Sequence, residues 1–420
     1  MILLLCLPTG YLFKIPIRPT VLALLILIIV YFFIKKRVRF EKKYWLALLV
    51  IAGLAMWLFI GFINGFNHTA VQQLTMFLSL IATVLVGYIS FSNRLLNTER
   101  AKRLLYVVMF TKLIWKIIIE VLVISHLINF AAYTSIYNIL FNATAVNLVI
   151  PTLNIFRINA SNDALVFAIL GFYLMDKKVS WLAKFVVLVL SGYFTLIVYS
   201  RVIFVQFFAT VAYAFVISCL QKVGWRKLIS CYLGAVVVLS ACVYMSVSTQ
   251  SLVGSGAYHQ KTGISAALND RFQGNDAKVS DEARTSQKHA LLTEIYKRPL
   301  LGMGLGSYDR SMVRSPLNKF SYEQEYYAFF MQFGVVGFIC IIVSTALMFY
   351  LMLNVNNIAL RSVKWLILFN FLIWMAKPLF NPNFTSASSA AIIMALIAFS
   401  YVSSQSEEKH GADNKFFRFL

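Results

Sequence analysis

The sequence predicts an all-α polytopic membrane protein with eleven or twelve membrane-spanning helices and one large polar loop late in the chain. Of its 420 residues, 60% are hydrophobic and only 13% are charged, about half the charged share of an ordinary soluble domain. Mean hydropathy is +0.76. A soluble fold cannot hide that much apolar surface, so lipid is the solvent the composition calls for. The apolar runs also recur along the whole length, which points to one integrated bundle rather than a soluble domain on a single anchor.

A bilayer core takes about 20 apolar residues per helix. Runs between charged punctuation place spans at 19–34, 44–63, 70–92, 104–129, 161–176, 180–199, 202–221, 228–247, 326–353, 362–376 and 384–403. Segment 2–13 is apolar but short and holds Pro8 and Gly10, so it adds only a weak first span. The chain thus divides into an N-terminal bundle (1–247), a polar loop (248–325), three C-terminal helices (326–403) and a tail (404–420). The N-terminus has no basic leader and no small-residue cleavage motif, and is not read as a removable signal peptide. No internal hydropathy repeat marks an inverted-repeat transporter.

The net charge of +22 invites a nucleic-acid reading, but the charges are placed otherwise. Basic residues concentrate in alternate connections: KKRVRFEKK (35–43), NRLLNTERAKR (93–103), DKK (176–178), QKVGWRK (221–227) and the stretch with Arg361 and Lys364. The opposite connections hold almost none, with Arg157, Arg201 and Lys377 as single exceptions. The basic set belongs to the cytoplasmic side, so much of the charge is topology signal facing anionic lipid, and nucleic acid is disfavoured. Loop 248–325 then lands outside. It is basic too, but loops longer than about 60 residues escape the charge rule. The five cysteines all lie in apolar stretches without metal-ligand spacing, and imply neither a metal site nor a disulfide framework.

Within the outer loop, DEARTSQKHALLTEIYKR (281–298) reads as a helix. Ser280 can cap it, acids open it, Lys297 and Arg298 close it, and Pro299 stops it. Arg284, Lys288, Leu291 and Ile295 share one face, half cationic and half apolar. Two readings stand: an interfacial helix lying on lipid, or a lid presenting cations to a diphosphate. LLGMGLGSYDR (300–310) contributes Gly302, Gly304 and Gly306, a GxGxG that is neither a Walker loop nor a dinucleotide fingerprint, and by itself reads as a flexible turn. SYEQEYYAFFMQFGVVGF (321–338) then returns to the membrane. Glu323 and Glu325 sit at the helix start, where they either complement the helix dipole or supply a general base near positioned arginines.

Taken together, Arg284, KRPLLGMGLGSY and YEQEYYAFFMQFGVVGF resemble the signature of the O-antigen polymerase and O-antigen ligase superfamily, and the span layout fits over the full length. The resemblance implies a GT-C-like, metal-independent, inverting membrane glycosyltransferase that needs no cofactor. Its donor and acceptor would be undecaprenyl-diphosphate-linked oligosaccharides, handled on the periplasmic face of the bacterial inner membrane. Membrane lipids and a separate chain-length regulator protein are the other expected partners. The family's base is a histidine before the returning helix. Aligned on Gly334, that histidine falls on Glu323, the following asparagine on Gln324 and the motif's glutamate on Gln332. His289 stands on the opposite face of the loop helix from Arg284 and His259 is far upstream, so neither takes the place. Ligases of this kind usually keep the histidine, which turns the reading towards a polymerase.

Arginine suits a departing diphosphate because its fork binds two oxygens at once. Arg157, Arg201, Arg284 and Arg310, with Lys288, are the expected substrate-binding residues, and Glu323 the expected base. For Arg201 and Arg157 the plainer readings are a snorkelling anchor and a solvated loop charge. Lys112, Lys116 and Glu120 repeat at helical spacing inside the span 104–129. They read as an internal Lys116–Glu120 pair fixing helix packing, or as cations lining a cavity for the lipid diphosphate. Asn381 and Asn383, beside Lys377, suit sugar hydroxyls or a plain turn. Three functions are expected, in order: a repeat-unit polymerase for O-antigen or capsule, a ligase transferring finished polymer to lipid A–core, and a flippase or transporter.

Overall fold

The computed structural model describes residues 11–12, 15–35, 45–93, 98–125, 148–150, 155–158, 163–176, 178–220, 275–313, 318–353, 361–379 and 392–400, with scattered positions in 127–139, 226–240 and 384–389. Ten helices are assigned among them: α1 (Ile17–Ile34), α2 (Trp45–Ile63), α3 (Asn67–Ser92), α4 (Thr98–Ile124), α5 (Ala164–Met175), α6 (Trp181–Val198), α7 (Arg201–Leu220), α8 (Asn275–Lys297), α9 (Glu325–Leu353) and α10 (Arg361–Ala376). The protein is an all-α polytopic membrane protein. Asn67–Phe91, Trp181–Val198 and Glu325–Tyr350 are long and apolar enough to cross a bilayer, and Leu48–Ile63, Ala164–Met175 and Arg201–Ile217 are shorter apolar helices. The described positions of the two spans expected at 228–247 and 384–403 are mostly helical.

Three local elements differ from expectation. The described end of segment 2–13 is no helix: β1 (Tyr11–Leu12) pairs antiparallel with β2 (Ile15–Pro16). Pro16 cannot donate into a preceding helical turn, so a sharp bend is the natural use of this stretch. The connection 130–160 contains a second small hairpin, in which β3 (Leu148–Ile150) pairs with β4 (Ile155–Arg157) and Leu148 stands opposite Arg157. Helix α8 begins at Asn275 rather than at a Ser280 cap, because no breaker intervenes between Gly274 and Pro299.

The chain packs as two compact units, residues 1–18 with 103–279, and residues 19–102 with 280–420. In the first, α5 is buried on every side from Ala164 to Leu174, as an all-round apolar helix must be. It packs against α6 and α7, and Phe167 meets Phe194 and Phe207 edge to face. Ser180 caps α6 by accepting the Ala183 N–H. Only Tyr199 and Ser200 separate α6 from α7, and Tyr199 makes the corner in the left-handed region at φ 46°. Lys116 of α4 is buried here and pairs with Asp163 at 2.6 Å rather than serving Glu120. Removing one partner of such a pair strands a buried charge, at about 3–5 kcal/mol.

In the second unit, α2 and α3 form an antiparallel hairpin and α9 packs against α2. The expected continuous span 326–353 is instead two helical pieces broken at Gly334 (φ 61°, ψ −173°). A break at membrane depth frees backbone groups that need partners. The glycine turn supplies them. Met303 and Gly304 donate to the carbonyls of Met331 and Gln332, while Val335 and Val336 donate to those of Pro299 and Leu300. Trp57 of α2 donates its indole N–H to the carbonyls of Leu301 and Phe333. The GxGxG is therefore a buried wedge and not a flexible turn. Gly304 (φ 90°) lies so close to α2 that a Cβ there would come within 2.1 Å of the Gly61 nitrogen, so only glycine fits.

Candidate functional site

The wedge fixes the segment after it. Gln332, fully buried, accepts the Gln73 amide at 2.7 Å and donates to the carbonyls of Ser307 and Phe320. Gln73 in turn accepts the Gly306 N–H at 2.6 Å. This network holds segment 307–320 at both ends. Tyr322 is completely buried against Leu291, Ala328 and Met331, with Ile295, Met303 and Tyr327 around them. Its hydroxyl accepts the Asp309 N–H at 2.8 Å, and burial pushes its pKa up to about 12. One small core thus joins α8, the turn and the start of α9.

Glu323 stands directly after this anchor. Its carboxylate lies 3.0 Å from the guanidinium of Arg284, with side chains 20% and 16% exposed, while the two facing atoms, Arg284 Nε and Glu323 Oε2, are themselves buried. Its backbone N–H donates to Gln287 Oε1 at 3.1 Å. One face of α8 therefore grips the residue twice, by charge and by backbone. Arg284 also pairs with Asp281 at 2.8 Å, which leaves it bridging two carboxylates. Glu325 does something different. It is buried, and its Oε2 accepts the Phe384 N–H at 2.7 Å, a structural tie to the C-terminal segment. Glu323 thus faces the α8 arginine, and Glu325 the C-terminal segment.

The other expected residues are spread over both units. Lys288 lies over the Tyr327 ring at 5.6 Å. Arg310 is exposed in the turn after Asp309. His289 is exposed on α8. Asn381 and Asn383 lie outside the described residues, while Lys377 is buried in a short 3-10 turn. In the first unit, Arg157 ends β4 and donates from Nε to the Val198 carbonyl at 3.3 Å, and Arg201 opens α7 just beyond. The structure thus brings Arg157 to the α6–α7 corner where Arg201 begins, and Arg284 to Glu323.

Sequence reasoning missed Gln287, although its position one turn from Arg284 on the same face was a usable signal. It missed Asp163 too, whose only signal was a lone acid before an apolar run.

No curated protein matches the chain significantly. Residues 185–342 match the O-antigen ligase family. That stretch runs from α6 into the returning helix α9, and includes Arg201, Arg284, the glycine wedge and Glu323. Over this stretch the chain is similar to the O-antigen ligase family, which supports the resemblance to the O-antigen polymerase and ligase superfamily.

Proposed function

We propose that the protein is a polymerase of lipid-linked oligosaccharide repeat units, working at the outer face of the bacterial inner membrane by inverting, metal-independent glycosyl transfer of the GT-C kind. The observation that carries this reading is the Glu323–Arg284 pair, held at 3.0 Å where the loop returns to the membrane. Glu323 takes the proton of the acceptor sugar hydroxyl as that oxygen attacks the anomeric carbon of the donor. The bond from that carbon to the diphosphate breaks, and the electron pair leaves with undecaprenyl diphosphate. Arg284, Lys288 and Arg310 are the proposed cations for the departing charge in the second unit. Arg157 and Arg201 are proposed diphosphate ligands in the first.

The ligase reading has its own support in the description of the matching family. A deletion strain separates the two. A polymerase defect leaves lipid A–core capped with a single repeat unit. A ligase defect leaves finished polymer on undecaprenyl diphosphate, and that outcome would sink the polymerase reading.

A further inference from the structure

Lys116 is a buried cation that the proposed transfer does not use. It sits in α4, 1% exposed, and Asp163 is equally buried at the start of α5. Beyond the 2.6 Å pair with Asp163, its ammonium donates to the Ile158 carbonyl at 2.8 Å and lies 4.7 Å from the Phe194 ring centre. Ile158 directly follows Arg157 and donates its own N–H to the Ile197 carbonyl at 3.0 Å. Arg157 reaches the next carbonyl, that of Val198. Gln206 of α7 donates to the Ala164 carbonyl beside Asp163 at 3.0 Å. One ammonium therefore ties together the end of the β3–β4 hairpin, the first turn of α5 and the inner face of α6.

We propose that Lys116, fixed by Asp163, is a positioning residue that sets Arg157 against the α6–α7 corner beside Arg201 and so builds a diphosphate-binding pair of arginines. The proposal rests on the assignment of Arg157 and Arg201 as diphosphate ligands. Three features favour positioning over helix packing alone. Two of the three strong contacts of the ammonium reach the segment between Arg157 and α5, not a neighbouring span. The carbonyl it holds belongs to the residue next to Arg157. The register of the hairpin exit with α6 is fixed by a pair of hydrogen bonds, Ile158 to Ile197 and Arg157 to Val198, and that register is what Lys116 clamps.

The test uses the full chain in lipid nanodiscs, with undecaprenyl diphosphate without sugar as the binding probe. A shift of about 1 Å in a binding group from a distant mutation costs on the order of a hundredfold. Lys116→Met is therefore expected to weaken probe affinity by about tenfold to a hundredfold, and to raise the donor KM by the same factor. Lys116→Arg should recover most of that loss, because it keeps the cation. A role confined to helix packing would lower the yield of folded protein without this matched change in affinity and KM. If Lys116→Met does not fold, Lys116→Met with Asp163→Leu removes both buried charges at once, a change such sites tolerate better. Wild-type probe affinity in Lys116→Met, or in the double variant where the single one does not fold, overturns the inference. Arg157→Ala and Arg201→Ala serve as the reference. If they too bind the probe like wild type, the diphosphate assignment falls with it. If they lose binding while the Lys116 variants keep it, only the positioning role falls.

Discussion

Arg284 and Glu323 are 39 positions apart in sequence and 3.0 Å apart in space. Their convergence was legible, because helical spacing put Arg284 on the apolar face of its helix and the turn brought the next segment back. The backbone grip by Gln287 was missed, although its place one turn from Arg284 put it on the same face. Gln287→Leu would leave the Glu323 N–H without its partner, at about 1–3 kcal/mol for a buried donor. Reduced polymer formation at wild-type protein level is the expected result, with Gln287→Glu retaining the acceptor and more of the rate. Tyr322 offers a pH signature. Its folded pKa, about 12, lies above the ordinary value near 10. Its neutral form therefore contributes stability that is complete below about pH 10 and lost as pH rises towards 12. Thermal melts between about pH 9 and pH 12 should show this fall, and Tyr322→Phe should blunt it.

Among the elements, α9 departs furthest from expectation. Its apolar sequence runs on without a charged gap, so nothing local marks the break at Gly334. The break is set by partners far away, in the turn 299–304 and at Trp57, and hydropathy cannot register them. The same holds for the hairpin ending at Arg157, whose strands are too short for an alternating pattern, and for Lys116, whose carboxylate partner lies 47 positions on. The apolar spans themselves were legible because lipid imposes length and composition directly. Two predictions belong here. Gly304→Ala and Gly334→Ala each put a Cβ in the left-handed region and against backbone, at 2.1 Å from Gly61 N and 2.2 Å from Leu300 O. The dihedral strain alone is about 1–3 kcal/mol, so folded yield and melting temperature should drop sharply. Gln332→Leu should unlock the turn by removing partners of Gln73, Ser307 and Phe320. Tryptic cleavage at the exposed Arg310 would speed up, and an unchanged cleavage rate there would argue against the amide network as the lock.

For the whole molecule, the charge alternation predicts that the basic connections face the cytoplasm and that α8 with the glycine wedge faces outward. Single cysteines placed at exposed Tyr296 and at Lys178, in a background without the native cysteines, would check this with a membrane-impermeant thiol reagent on intact spheroplasts. Labelling is expected at Tyr296→Cys and not at Lys178→Cys. The proposed sugar transfer, with a carboxylate where the family resemblance leads one to expect histidine, stands or falls with Glu323. The most direct test is polymer formation by purified Glu323→Gln in nanodiscs on a lipid-linked repeat unit, beside wild type of equal monodispersity. A ladder of products from wild type and a fall of about a hundredfold or more in the variant, the scale of a lost general base, is the expected result. An undiminished ladder from Glu323→Gln would contradict the assignment of Glu323 as the base.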